Sequence, residues 1–210
     1  MATRSYVSPL RTADAAATRA RIVDAAGRLF VRDGYAATPM RAIAVEAGVS
    51  AQTVNLHGPK HLLLIAAFER AFAGDEGRHS LAERPALVEI MSTPDTAAAI
   101  EAYLVFLTEA NERSAGITRA IMAAADADPA ARAAYADLED RRRRDMSIAA
   151  GWFAARGLVD AADAERAADL LGLYTGPDTY LQLVDKARWS PDAYRAWLRG
   201  MLGGLQAALA

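Results

Sequence analysis

In this 210-residue chain Thr38-Pro39, Thr93-Pro94, Asp128-Pro129 and Ser190-Pro191 each place a side-chain oxygen directly before a proline. Proline suits the first helical turn, where the N–H it lacks would have had no partner, and the preceding side chain can accept from an exposed N–H. Each pair therefore reads as a helix start. Pro59, Pro85 and Pro177 read as helix starts without such caps, and no proline interrupts a convincing apolar period. The pattern predicts helices near 15–33, 39–46, 51–57, 59–76, 81–91, 94–113, 115–125, 129–156, 161–175, 177–186 and 191–208. Composition agrees, because Ala and Leu total 72 residues against 18 for Ile and Val. The first pair favours helix and the second strand, so the expected class is all-α.

The absence of cysteine rules out disulfide scaffolds, thiolate metal sites and cysteine nucleophiles. No apolar run approaches the ~20 residues that a membrane span needs. The N-terminal stretch MATRSYVSPLRTAD lacks the apolar core of a signal peptide, so a cytoplasmic protein without membrane attachment is expected. The three histidines, His57, His61 and His79, have no zinc-ligand spacing to carboxylates. GxSxG, GxGxxG and P-loop motifs are absent, so neither an enzyme nor a metal or cofactor is expected. Charge is uneven: residues 1–74 hold nine Lys/Arg and five Asp/Glu, while residues 75–210 hold fifteen and twenty-one. A basic end on an acidic body suggests that the N-terminal part meets a polyanion.

The stretch TPMRAIAVEAGVSAQTV, residues 38–54, carries the most information. Ile43, Ala47, Val49 and Val54 have the spacing of two short helices folded on one small core, and Ala44 leaves room for them to cross closely. Gly48 supplies the positive φ of a tight turn. Ser50 then caps a helix whose outward residues are Ala51, Gln52, Thr53 and Asn55. Small and amide side chains on a short exposed helix suit base-edge reading in the major groove, although an ordinary helical hairpin would show the same core pattern.

Its flanks, TRARIVDAAGRLFVRDGYAAT (18–38) and LHGPKHLLL (56–64), narrow the reading. Together, residues 18–64 resemble the DNA-binding domain of the tetracycline-repressor (TetR) family of transcriptional regulators. The resemblance implies that Ile22, Ala26, Leu29 and Phe30 hold the first helix on the hairpin. It implies phosphate contacts from Thr38, Arg41 and Lys60, and DNA contacts from Gln52, Thr53 and Asn55, with Ser50 and His57 at the ends of the same helix. It further implies a double-stranded DNA operator, a small-molecule effector, a homodimer and, most often, repression. The chain departs from the family at Asn55-Leu56-His57-Gly58, where the usual tyrosine is replaced and the phenylalanine after His57 is deleted. That change predicts a shortened or loosely seated recognition helix, while Asn55 itself suits an adenine edge.

The implied division is an arm over 1–14, a helix-turn-helix domain over 15–62, and a helical ligand-binding and dimerisation domain over 63–210. Residues 170–198 resemble the last two helices of such regulators, which pair with those of a second subunit. Gly200, Gly203, Gly204 and Ala207 add a small-residue face suited to close helix approach. Leu170, Leu171, Tyr174, Gly200 and Gly204 are the candidate interface, against a final helix packed within its own subunit. The helix at 94–113 is apolar almost all round, so Tyr103, Phe106, Leu107 and Thr108, with Met122, Trp152, Phe153 and Tyr174, are candidate ligand contacts or plain core. Within the run Arg141–Arg144, helical projection places Arg142 in the apolar stripe and the other three on a solvated face. Arg142 then pairs with Asp145 or addresses a ligand. Two other readings stay open: a helical dimeric interaction or ligand-binding module with weakened DNA binding and, more distantly, a helical enzyme.

Overall fold

The computed structural model describes residues 9–77 and 80–209, with side chains from residue 13 onward. Among the described residues every regular element is helical. In chain order these are α1 (Pro9–Asp33), α2 (Met40–Ala47), α3 (Ala51–Leu56), α4 (Lys60–Ala73), α5 (Pro85–Ser92), α6 (Thr96–Ala127), α7 (Pro129–Ala155), α8 (Ala164–Thr175), α9 (Pro177–Tyr180), α10 (Pro191–Gly203) and α11 (Leu205–Leu209). Short 3-10 turns precede α5 and α8, and a π-helical stretch, Leu181–Lys186, follows α9. No helix among the described residues is long and apolar enough to cross a membrane.

The caps at Asp128 and Ser190 form as expected: Asp128 accepts from the Ala130 N–H and Ser190 from the Ala193 N–H. Two do not. Thr38 turns its hydroxyl back to the Gly34 carbonyl, leaving Pro39 as an N-cap without a side-chain bond. Thr93 closes α5 through the Glu89 carbonyl, and Asp95 caps α6 through the Ala98 N–H at 2.7 Å. α1 begins at Pro9, inside the expected arm, and residues 1–8 of that arm lie outside the described residues.

The expected break between 113 and 115 is absent, and α6 runs unbroken for 32 residues. The buried hydroxyls of Thr108, Ser114 and Thr118 each donate to the carbonyl one turn back, so the helix accommodates them. Gly116 marks a close approach instead: a Cβ there would lie 2.9 Å from Val31 Cγ1. The expected single helix at 191–208 divides at Gly203–Gly204 into α10 and α11.

Two apolar cores share the long helices. The first joins α1–α4 to Ile117, Ala120, Ile121 and Ala124 of α6 and to Ala131 and Leu138 of α7. The second joins α5, α8 and α10 to Ala99, Tyr103, Leu104 and Leu107 of α6 and to Met146, Ala150, Trp152 and Phe153 of α7. Between them α6 carries buried Asn111 and Ser114, and α7 carries Arg141, Arg142 and Asp145. Polar residues therefore mark the seam. α4 crosses the expected 62/63 boundary, because Leu63 and Leu64 belong to the first core while Phe68 and Phe72 reach the seam.

Candidate functional site

The hairpin forms from local rules. Gly48 takes the left-handed conformation, φ 66° and ψ 39°, and its N–H closes α2 on Ala44 and Val45. Ser50 accepts from the Thr53 N–H at 3.0 Å and so opens α3. Ile43, Ala44, Ala47 and Val54 are buried against Ile22, Ala26, Leu29 and Phe30 of α1. This leaves Ala51, Gln52 and Asn55 exposed and Thr53 half-exposed on the outer face of α3, with exposed Arg41 on α2. Arg41 has no ion-pair partner among the described residues. α3 spans six residues. Leu56, which the motif does not single out, is 81% exposed at the end of α3 and offers an apolar contact for a thymine methyl.

Three expected DNA contacts sit differently. Thr38 is 1% exposed, with its hydroxyl engaged by Gly34, so it belongs to the core. Lys60 donates to the carbonyls of Tyr35 at 2.8 Å and Thr38 at 3.1 Å, and lies 4.1 Å above the Tyr35 ring. Burial lowers its pKa from the ordinary lysine value, against the raising influence of Asp128. Lys60 is thus a clamp holding the α1–α2 turn. His57 is half-buried, and its carbonyl accepts from Arg19 Nη1. Tyr35 donates to Asp128 at 2.8 Å, tying this module to the start of α7. That bond is the main cause of the lowered Asp128 pKa.

At the seam lies a half-enclosed cavity of about 210 Å³. Its apolar wall includes Phe68 and Phe72 of α4, Leu107 of α6, and Leu138 and Met146 of α7. Its charged wall holds Arg84, Arg141, Arg142, Arg144, Glu69 and Asp145. Arg141, expected in solvent, is only 13% exposed and pairs with Glu69 at 2.6 Å. Arg142 is partly buried, as the helical projection requires, but its partners are Glu139 at 3.3 Å and the Gly172 carbonyl at 3.0 Å. Asp145 instead accepts from the Ser80 hydroxyl and the Leu81 N–H. Gly176 leaves room for the Arg142 guanidinium, since a Cβ there would come within 2.9 Å of Nη2.

Of the expected ligand contacts, Leu107 lines this cavity, and Tyr103 and Trp152 line a smaller neighbouring void. Burial pushes the Tyr103 hydroxyl pKa above its usual value. Phe153 is fully buried core, and the Thr108 hydroxyl is spent on Leu104. Phe106 packs edge-on against Phe72 and Tyr174 against Trp197. Met122 is 40% exposed, away from the cavity. The sequence reading missed Phe68 and Phe72 because α4 reads as a continuation of the hairpin. Of the candidate interface, Leu171 is fully buried within the subunit and Leu170 and Tyr174 are half-buried. Gly200 faces open space, while a Cβ on Gly204 would meet its own helix at the Gly200 carbonyl, 3.5 Å away. Leu173, 60% exposed, and the exposed stripe Ala193, Ala196, Gly200, Gly203 and Ala207 form the outer face of α8 and α10–α11.

A string of polar contacts connects the two regions. Arg19 reaches the His57 carbonyl and pairs with Glu76 at 2.8 Å. The adjacent Gly77 N–H donates to Glu69 at 3.0 Å, and Glu69 holds Arg141 in the cavity wall. No group of His, Asp and Glu among the described residues could hold a metal ion, and His79 lies outside them.

The arrangement of α2 and α3 on α1 is a helix-turn-helix module. Residues 22–57 match the family model for bacterial regulatory proteins of the tetR family. A candidate TetR-family transcriptional regulator from Mesorhizobium loti has the same fold, with TM-score 0.67 and 22% identity over 92% of this chain and 97% of that one. A candidate transcriptional regulator from Saccharomonospora viridis, solved with choline, gives 0.63 and 23% over 89% and 96%. MexZ, a repressor responsible for antibiotic resistance in Pseudomonas aeruginosa, gives 0.57 and 26% over 90% and 94%. No curated protein matches the chain. The chain carries the TetR-family helix-turn-helix segment on the fold of TetR-family transcriptional regulators.

Proposed function

We propose that this chain is a ligand-responsive DNA-binding regulator, acting as a cytoplasmic homodimeric repressor that a small molecule releases from a near-palindromic operator. The observation that carries this reading is α4, one helix whose Leu63 and Leu64 pack on the hairpin and whose Phe68, Glu69 and Phe72 line the cavity. A ligand that changes the cavity wall acts on the element that seats the recognition hairpin. The result is a shift between two arrangements of the DNA-binding ends, without chemistry. In this reading the module over 15–62 binds DNA, with any contribution from the 1–14 arm, and the body over 63–210 binds effector and partner subunit.

Gln52, Thr53 and Asn55 read bases, Arg41 meets phosphate, and the small-residue face of α10–α11 with Leu173 meets its copy in a partner subunit. Dimers of this kind address two half-sites about one helical turn apart. The Saccharomonospora viridis protein holds choline. An effector here occupies the cavity at the seam, whose wall carries Arg84, Arg141, Arg142 and Arg144. The test is a gel shift with the DNA upstream of the chain's own gene, together with sedimentation. Sequence-selective binding by a dimer supports the reading, and Gly200→Arg should give monomers that bind DNA far more weakly. Binding to no DNA at all would favour the interaction-module reading.

A further inference from the structure

The chemistry of the cavity wall goes further than its position. We infer that it takes a small amphipathic anion, a carboxylate carried on one ring or a short apolar chain. Size sets the body: an apolar cavity of ~150 Å³ holds benzene, so the 210 Å³ here holds a ring with a small polar group, roughly ten non-hydrogen atoms. Phe68, Phe72, Leu107 and Met146 supply an apolar bed for it.

The polar group follows from which wall atoms are already committed. Both wall acids are taken: Glu69 holds Arg141 and the Gly77 N–H, and Asp145 holds the Ser80 hydroxyl and the Leu81 N–H. A cationic ligand would have to break one of these while standing beside four guanidiniums. The donors are not used up. Arg142 contacts Glu139 only at 3.3 Å through either oxygen, longer than the ~2.7–2.9 Å of a strong charged hydrogen bond. Arg144, at the rim, is exposed and has no ion-pair partner among the described residues. Arg84 and Arg141 are already paired: the Arg84 Nε lies 2.8 Å from Asp75 and the Arg141 Nε 3.3 Å from Asp137. Arg142 and Arg144 are thus the donors left for a ligand, and a carboxylate brings two acceptors. An arginine fork meets them bidentately, and exclusion of water on the apolar side strengthens the contact.

This deepens the proposed effector site and rests on that reading only for the effect on DNA. Occupancy is measured on the full chain alone, by calorimetry with phenylacetate, its neutral analogue 2-phenylethanol and the cation phenyltrimethylammonium. Phenylacetate should bind at least about tenfold more tightly than the alcohol, and the ammonium should not bind. Arg142→Met should lower phenylacetate affinity by about tenfold or more and leave the alcohol unchanged. Should that variant fail to fold, Arg144→Gln at the exposed rim should lower phenylacetate affinity by about threefold and weaken its salt dependence. The inference is overturned if no probe binds, if the alcohol or the ammonium binds as well as the acid, or if the folded arginine variants bind phenylacetate like the parent. A gel shift separates the two ideas: phenylacetate that binds without altering the DNA complex upholds the ligand class and contradicts the effector role.

Discussion

The recognition hairpin and the cavity wall, joined by α4, both position polar groups against apolar ones, but over very different distances along the chain. In the hairpin the caps and turns join residues three or four apart, Ser50 with Thr53, Thr38 with Gly34 and the Gly48 N–H with Val45, while Lys60 and Arg19 anchor it over longer spans. Around the cavity the bonds that bring distant elements together span 30 to 72 residues, Arg142 with Gly172, Ser80 with Asp145 and Arg141 with Glu69, beside local pairs such as Arg142 with Glu139. The hairpin is specified by local chemistry and can vary its outer face freely. The cavity exists only when the whole body has assembled, so a change there is felt in folding as well as in binding.

The largest effect should come from stranding a charge at the seam. Glu69 and Arg141 are 11% and 13% exposed, so Glu69→Ala leaves a mostly buried guanidinium with its main partner gone. We expect a loss of about 3 kcal/mol in urea unfolding. The same change removes the acceptor for the Gly77 N–H, beside the Glu76 that holds Arg19. A loss below about 0.5 kcal/mol, the scale of an exposed pair, would mean that the seam is no more demanding than the surface.

This contrast also explains what could be read from the sequence. The hairpin, its glycine turn, its Ser50 cap and the helices begun by Asp128 and Ser190 were legible because each depends on near neighbours. Arg142 was correctly placed on the apolar side of α7, since helical phase is also local. Its partner was not legible. Asp145 is three residues on, but Ser80 and the Leu81 N–H hold it from across the cavity. Lys60 and Thr38 stand at positions where the family resemblance implies a phosphate contact, but the turn after α1 draws both inward, through bonds that their positions in the sequence do not reveal. The break expected in α6 failed because buried Ser114 satisfies itself on Ala110 without ending the helix.

A smaller effect should separate Lys60 from Arg41 within the hairpin region. Lys60→Met removes two charge-assisted bonds to the Tyr35 and Thr38 carbonyls, and should cost about 1–2 kcal/mol of stability. The salt dependence of DNA binding should not change. Equal thermal stability with a flatter salt slope would return Lys60 to the phosphate backbone.

The smallest effect should appear only in acid. The Asp128 pKa is lowered, chiefly by the Tyr35 hydroxyl, so its contribution is present above the ordinary carboxylate value and lost as pH falls through the folded-state value. Tyr35→Phe should therefore be closest to the parent in stability below about pH 4 and furthest from it near neutrality. A gap between the two proteins that does not narrow in acid would mean that the hydroxyl contributes independently of the Asp128 charge.

The central claim is that α3 reads sequence while Arg41 only anchors. It is tested most directly by measuring affinities of the parent, Asn55→Ala and Arg41→Ala over a set of DNA sites with single base changes at several salt concentrations. Asn55→Ala should re-rank the sites, losing about 1–3 kcal/mol of discrimination at one base position per half-site. Arg41→Ala should weaken every site alike and lower the salt slope by about one for each lost phosphate contact. An unchanged ranking in Asn55→Ala, with re-ranking in Arg41→Ala, would contradict the account.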